Sequence, residues 1–202
     1  MSEPLPDWFE RHITLVDDRR FVRVFSGKYK NDPCGTGFAD SRYALAKGPW
    51  RTLYAAENLK TAFAEVIIGD AFAKHGNHFQ VLFDDLEEKV VSNLLPAAKP
   101  LRMLDLTGNN CTKLHISTDT AKGETHEHGQ DLAQRIYDHH QDMIDGLLWR
   151  SRHTENDAYA VFDWAFERIQ CNEVEPTPLL SHPATGRIIE EYDLKVVRLD
   201  DL

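Results

Sequence analysis

The chain has 202 residues, enough for one domain with appendages, and a chain of this size buries roughly 70% of the surface its unfolded form exposes. Hydrophobic residues at 42% and charged residues at 28% exclude a chain that is disordered throughout. With 33 acidic against 23 basic residues the formal charge is -10, which repels phosphate backbones and argues against direct nucleic-acid binding.

In chain order, the β-favouring run Phe21-Val22-Arg23-Val24-Phe25 predicts the first strand, and residues 26–49, rich in Gly, Pro, Asn, Asp and Ser, predict a long loop. Leu53-Tyr54-Ala55 predicts a short strand. Leu59, Ala62, Phe63, Val66 and Ile67 recur at helical spacing and predict a helix from about Asn58 to Ala73. Alternation over Phe79–Phe83 predicts a strand, with others at 89–92 and 101–106, and the polar stretch 107–127 reads as irregular. A second helix is expected from about Gly129 to Asp145, with Leu132, Ala133, Ile136, Tyr137 and Ile144 on one stripe and Gly146 as its stop. Strands at 147–149, 159–163 and 194–199 complete the series, and the three prolines of 170–186 mark an excursion. There is no internal repeat. The class is α+β, with mixed, largely antiparallel sheets and flanking helices, in one domain over 1–202.

The opening MSEPLPDWFERH lacks a basic start and an apolar run, so no signal peptide is expected. No stretch approaches the ~18 apolar residues of a membrane span. Cys34, Cys111 and Cys171 are odd in number, widely spaced and without a CxxC pair. That spacing predicts neither a zinc ribbon nor a disulfide framework, and it points to a reducing cytoplasm.

Arg23 carries the most information on physical grounds. It shares a strand face with Phe21 and Phe25, where a guanidinium is costly to bury without a partner. Either the residue lies at an exposed strand edge, or it meets an anion that suits its fork. Glu65 lies off the apolar stripe of its helix, and spacing alone makes it a solvated carboxylate. His126, His128, His139 and His140 lack the HExxH spacing that puts two ligands on one helix face. Capping and packing are the expected roles, and no catalytic metal is expected. Ser151 is not a nucleophile elbow, because a GxSxG turn needs glycine where Trp149 and His153 stand. Gly35-Thr36-Gly37 matches neither a Walker loop nor a GxGxxG fingerprint and reads as a loop.

Read in order, FVRVF, LYAAENLKTAFAEV, LDLT, DGLLWRSRH and YAVFDWA resemble the RES-domain family, named for its Arg, Glu and Ser. Tyr54, Thr61-Ala62 and Glu65 fit the tightly spaced part of the pattern, and Arg23 and Ser151 fit in place and order. The resemblance spans about residues 20–165, and 166–202 extend beyond the usual core. The family's Gly-Arg-aromatic-Asn cluster departs here. The loop reads Gly35-Thr36-Gly37-Phe38-Ala39-Asp40-Ser41-Arg42, so Phe38 is the candidate aromatic and Arg42 the candidate substitute cation.

The resemblance implies an ADP-ribosyltransferase-like fold and a toxin of a bacterial toxin–antitoxin pair. It implies cleavage of the nicotinamide–ribose bond of NAD+, with water or inorganic phosphate as acceptor and no cofactor beyond NAD+ as substrate. Glu65 would face the sugar cation, and Ser151 would bond the ribose or Glu65. Arg23 and Arg42 would pair with the pyrophosphate, and Tyr54 would fix the nicotinamide. A cognate antitoxin and a homo-oligomer are the implied partners. Two alternatives remain: a protein mono-ADP-ribosyltransferase, and a catalytically inactive module that binds an antitoxin-like partner. Phe63, two residues before Glu65, replaces the second carboxylate of Arg-modifying transferases, which favours a small acceptor.

Overall fold

The computed structural model describes residues 2–17, 21–36, 40–69, 80–96, 99–123, 125–170, 175–198 and 200. The first half holds β1 (Ile13–Val16), β2 (Phe21–Ser26), β3 (Thr52–Ala56), α1 (Leu59–Phe63), β4 (Gln80–Leu82), α2 (Phe83–Glu87) and β5 (Lys89–Pro96). There follow β6 (Leu101–Asp105), α3 (Asn110–Lys113), α4 (Asp119–Lys122), α5 (Glu127–His139), β7 (Gly146–Arg150) and β8 (Asp157–Phe162). The chain closes with β9 (Ile169–Gln170), β10 (Thr177–Pro178), α6 (Thr185–Glu191) and β11 (Lys195–Val197).

One sheet runs in the order β1-β6-β7-β8-β3-β2-β5-β10, with β9 pairing β5 off this path, and β4 and β11 form a separate pair. Pairing is antiparallel except for β6–β7 and β4–β11. The parallel β6–β7 pair needs a crossover, which α3, α4 and α5 supply. Val16, Leu101 and Met103 from one end of the sheet share a buried cluster with Phe21 and Leu94 from the other, so the sheet is curled. On its other face Leu132, Ala133 and Ile136 of α5 pack against Leu104, Leu147, Trp149, Ala160 and Phe162. Beyond them α1 and α6 pack on Val24, Ala56 and Val91.

The α+β class and the largely antiparallel pairing agree with the sequence pattern, and several boundaries differ. β1 was not expected, being four residues long with Leu15 60% exposed, too little alternation to stand out. The predicted strand 79–83 is shorter because Phe83 opens α2, and the polar stretch 107–127 holds α3 and α4. The helix expected at 58–73 is α1 followed by a π-helical turn, Ala64–Ile68. Its end beyond Gly69 lies outside the described residues, as do Phe38, Phe79 and Cys171. Gly146 is not a helix stop: α5 ends at His139, and Gly146 opens β7. A Cβ there would stand 2.2 Å from the Ala160 carbonyl oxygen, so close strand approach requires glycine. The excursion 170–186 contains β10 and the start of α6, which a proline-rich flank concealed.

The expectation of no disulfide is corrected as well. Cys34 is disulfide-bonded, whereas Cys111 is a buried free thiol. Spacing could not reveal this, because a bridge depends on proximity in three dimensions. Among the described residues no helix is long and apolar enough to cross a membrane.

Candidate active site

The helix that carries Glu65 starts from a side-chain cap. Asn58 Oδ1 accepts from the Thr61 backbone N at 2.9 Å and from Thr61 Oγ1 at 3.0 Å, which satisfies donors that a helix start leaves open. Leu59, Ala62 and Phe63 enter the core, and the π-helical turn then adds a residue and carries Glu65. Such turns are rare in proteins and recur at functional sites. Glu65 is half-buried, and its Oε1 is enclosed without a hydrogen-bond partner. Phe63 is fully buried in the core, so its position cannot present a side chain to an acceptor.

Tyr54 projects from β3 among aromatic neighbours, with its ring 6.4 Å from both Tyr43 and Trp149. Its hydroxyl accepts from the Tyr43 backbone N at 2.9 Å and shares a 2.9 Å hydrogen bond with Ser41 Oγ. Burial pushes the Tyr54 phenol up to about 12, partly offset by those hydrogen bonds and by the Arg42 charge. Tyr43 is fully buried, and burial raises its pKa against the same Arg42 charge; Glu65 acts weakly in the other direction. Arg42 thus places a cation beside the tyrosine pair, with a long 3.5 Å hydrogen bond to the Asp119 carbonyl.

Ser151 follows β7 and is fully buried. Its backbone N donates to the Asn156 carbonyl at 2.9 Å, and its Oγ accepts from the His153 backbone N at 3.2 Å. Ser151 therefore shapes the turn between β7 and β8, and its hydroxyl proton remains able to donate. Thr154, in the same turn, bonds Thr61 of α1 side chain to side chain at 2.9 Å. That link fixes the turn against the helix bearing Glu65. The charge of Glu65 reaches His153, whose pKa burial lowers; Glu65 raises it and Arg152 lowers it further.

Arg23 is not an exposed edge residue, because β2 lies between β3 and β5. Its Nη1 donates to the Pro33 carbonyl at 2.5 Å and its Nη2 to the Gly35 carbonyl at 3.1 Å, while the guanidinium lies 4.8 Å from the Phe25 ring centroid. Burial pulls its pKa down to about 10, against the opposing charge of Asp32. These contacts run to the 32–35 segment, while Tyr54 and the Arg42 charge lie beside Tyr43, Glu65 is on the π-helical turn after α1 and Ser151 is in the turn after β7. Two buried hydroxyls near Arg23 lack partners: Thr36 Oγ1, next in sequence to Gly35, and Ser92 Oγ, directly across the strand pair from Arg23.

His153, Ser41, Tyr43 and the Thr61–Thr154 pair were missed from sequence. Only the SRHT run beside Ser151 could have signalled His153. His139 and His140 anchor the N-terminal segment: His139 Nε2 lies 2.7 Å from the Ser2 carbonyl oxygen, and His140 Nε2 accepts from the Leu5 backbone N at 3.0 Å. Among the described residues no group of three His, Cys, Asp or Glu side chains is placed to hold a metal ion.

The profile of the RES domain matches residues 20–181. A protein of Sinorhizobium fredii (strain NBRC 101917 / NGR234) described as "Probable toxin y4kH" is 27% identical over 100 residues, covering 49% of this chain and 76% of that protein. The crystal structure of the M. tuberculosis MbcT-MbcA toxin-antitoxin complex contains a chain of the same fold. The TM-score is 0.59 at 15% identity, over 88% of this chain and 94% of that one.

Proposed function

Because this chain belongs to the RES domain family, we propose that it is the toxin enzyme of a toxin–antitoxin pair, cleaving the nicotinamide–ribose bond of NAD+ with water or inorganic phosphate as acceptor. The observation that carries the reading is the enclosed, unpartnered Glu65 Oε1 on a π-helical turn. A buried carboxylate oxygen without a partner is costly, and such groups concentrate where a ligand completes them. Glycosidic cleavage builds positive charge on the sugar, and a carboxylate hydrogen-bonded to a ribose hydroxyl stabilises it. Nicotinamide leaves neutral, so no acid is needed for it. The fold likeness to one chain of a toxin–antitoxin complex and the relative described as a probable toxin support the toxin reading and a cognate antitoxin. NAD+ supply and an antitoxin made alongside point to the cytoplasm.

Tyr54 and Arg42 would receive the nicotinamide and a phosphate oxygen, and the Ser151 hydroxyl would donate to the ribose or to Glu65. Arg23, with Thr36 and Ser92, would offer donors to the pyrophosphate once the 33–35 carbonyls give way. A small acceptor is favoured over a protein side chain because Phe63 lies in the core. Incubating purified protein with NAD+, with and without phosphate, and identifying the products by mass tests this. Free nicotinamide with ADP-ribose marks hydrolysis, and a phosphorylated ADP-ribose marks phosphorolysis. A folded sample that releases no nicotinamide overturns the proposal, and an ADP-ribose increment on a cellular protein favours the transferase.

A further inference from the structure

We propose that Gln130 is a positioning residue for NAD+. From α5 it fixes the 40–44 turn, and through Ser41 of that turn it sets where the Tyr54 hydroxyl stands to meet the nicotinamide. This rests on the NAD+ reading above. Gln130 itself touches no substrate, and no bond of the reaction forms or breaks on it.

The Gln130 side chain gathers three acceptors from one turn. Its Nε2 donates to Asp40 Oδ1 at 2.6 Å, to the Ser41 carbonyl at 3.0 Å and to the Ala44 carbonyl at 3.2 Å. Three acceptors around one atom assign that end of the amide as the nitrogen, with one of its two protons shared. The turn is closed on itself by Ser41 N to the Ala44 carbonyl at 3.0 Å and Ala44 N to the Ser41 carbonyl at 3.3 Å. Gly129, buried beside Gln130, lets α5 lie directly against it: a Cβ there would stand 2.3 Å from the Arg42 carbonyl oxygen. Leu132, Ala133 and Ile136 lock α5 into the core, so the turn is clamped to a fixed support.

The turn passes its position on to Tyr54. The Tyr54 hydroxyl meets Ser41 Oγ at 2.9 Å and the Tyr43 backbone N at 2.9 Å. These two partners are held differently. Tyr43 has anchors of its own: its carbonyl accepts from Trp50 Nε1 at 2.9 Å and Thr52 Oγ1 at 3.0 Å, and its hydroxyl donates to the Thr120 carbonyl at 3.0 Å. The Ser41 backbone, among the described residues, is tied beyond its own turn by Gln130. Removing the Gln130 amide therefore loosens Ser41 and leaves the buried Tyr43 in place. The fold survives that change, and the alignment of the phenol does not.

The test measures nicotinamide release and thermal melting for wild type, Gln130→Met, Gln130→Glu, Ser41→Ala, Tyr54→Phe and the double variant Gln130→Met with Tyr54→Phe. Met keeps the length of Gln and removes its donors. Gln130→Met should raise KM for NAD+ about 5–10-fold with kcat within about threefold of wild type, because a pose lost equally in ground and transition states is uniform binding. Gln130→Glu sets a carboxylate against three oxygens and should raise KM further. Ser41→Ala keeps every Gln130 contact, cuts only the last link, and should reproduce the Gln130→Met rise. Tyr54→Phe has already lost the hydroxyl, so adding Gln130→Met there should raise KM by less than about twofold more. A Gln130→Met KM within about twofold of wild type, even with a lower melting temperature, or a full further rise in the Tyr54→Phe background, would overturn the role of Gln130 alone. An unchanged KM in Ser41→Ala would overturn it whether or not the Gln130 variants fold. A folded wild type that releases no nicotinamide would overturn the NAD+ reading and this inference together.

Discussion

Asp145 and Glu65 are both enclosed carboxylates, built in opposite ways. Asp145 is 1% exposed and surrounded by donors. The Arg102 backbone N and Nε reach its Oδ2 at 2.8 and 3.0 Å, Arg102 Nη2 reaches Oδ1 at 2.8 Å, and Arg168 Nε stands 3.6 Å away. Glu65 keeps an enclosed oxygen with no donor. The two are made of the same chemistry. What separates them is that the protein's own donors complete the hydrogen bonds of Asp145 and leave one oxygen of Glu65 open, as the proposed substrate role of Glu65 requires.

The contrast breaks most visibly at Asp145. Asp145→Ala leaves Arg102 and Arg168 without their acceptor and should cost about 3–5 kcal/mol of stability, read by urea denaturation. An unchanged urea midpoint would show that the cluster is ornamental. Glu65→Gln should do the reverse. Turnover should fall about 10²–10³-fold, or ~3–4 kcal/mol of transition-state stabilisation, while the melting temperature holds. A variant that melts at a clearly lower temperature but turns over normally while folded would place Glu65 with Asp145 as scaffold. Tyr54→Phe is intermediate, because it strips the Tyr43 backbone N and Ser41 of a shared partner. We expect about 1–3 kcal/mol of destabilisation together with weaker NAD+ binding, measured by denaturation and calorimetry. Full stability would mean that water replaces the phenol.

The smallest effect concerns His140. Burial lowers its pKa from the usual 6.5, with His139 acting in the same direction, and its Nε2 accepts from the Leu5 N only when unprotonated. A depressed histidine pKa means that the unfolded chain binds the proton more readily. The stabilisation is therefore complete above about 6.5 and lost as pH falls through the lower folded value. Proteolysis of the N-terminal segment should accelerate on mild acidification, and His140→Gln should flatten that dependence. A wild-type rate that is flat with pH would remove His140 as the anchor.

Local patterns made much of this legible. Phe21–Phe25, the stripe Leu132, Ala133 and Ile136, and the Tyr54-to-Glu65 spacing are each set by neighbours within a few residues. What sequence hid depends on distant partners. Gly146 looked like a helix stop because the approach of Ala160 is a tertiary fact. The bridge at Cys34, the Thr61–Thr154 link and the pairing of Arg23 with loop carbonyls are invisible for the same reason. Arg23 was expected either at an exposed edge or against an anion; it lies inside the sheet, and its hydrogen-bond partners are the chain's own backbone carbonyls. His153 went unnoticed beside the better-matched Ser151, although folding sets it within the electrostatic reach of Glu65.

The placement of α6 has a consequence for when the protein becomes competent. Ile188 and Leu194 share a buried cluster with Leu59, Phe63 and Ile67, Glu191 pairs with Lys60, and Tyr192 holds the His153 carbonyl. The helix bearing Glu65 leaves the ribosome early, yet the elements that wall it and steady its neighbouring turn are made more than half a chain later. Chains fold as they emerge, N-terminal parts first. A growing chain therefore carries its carboxylate in an unfinished pocket, and the site closes only when the last helix arrives.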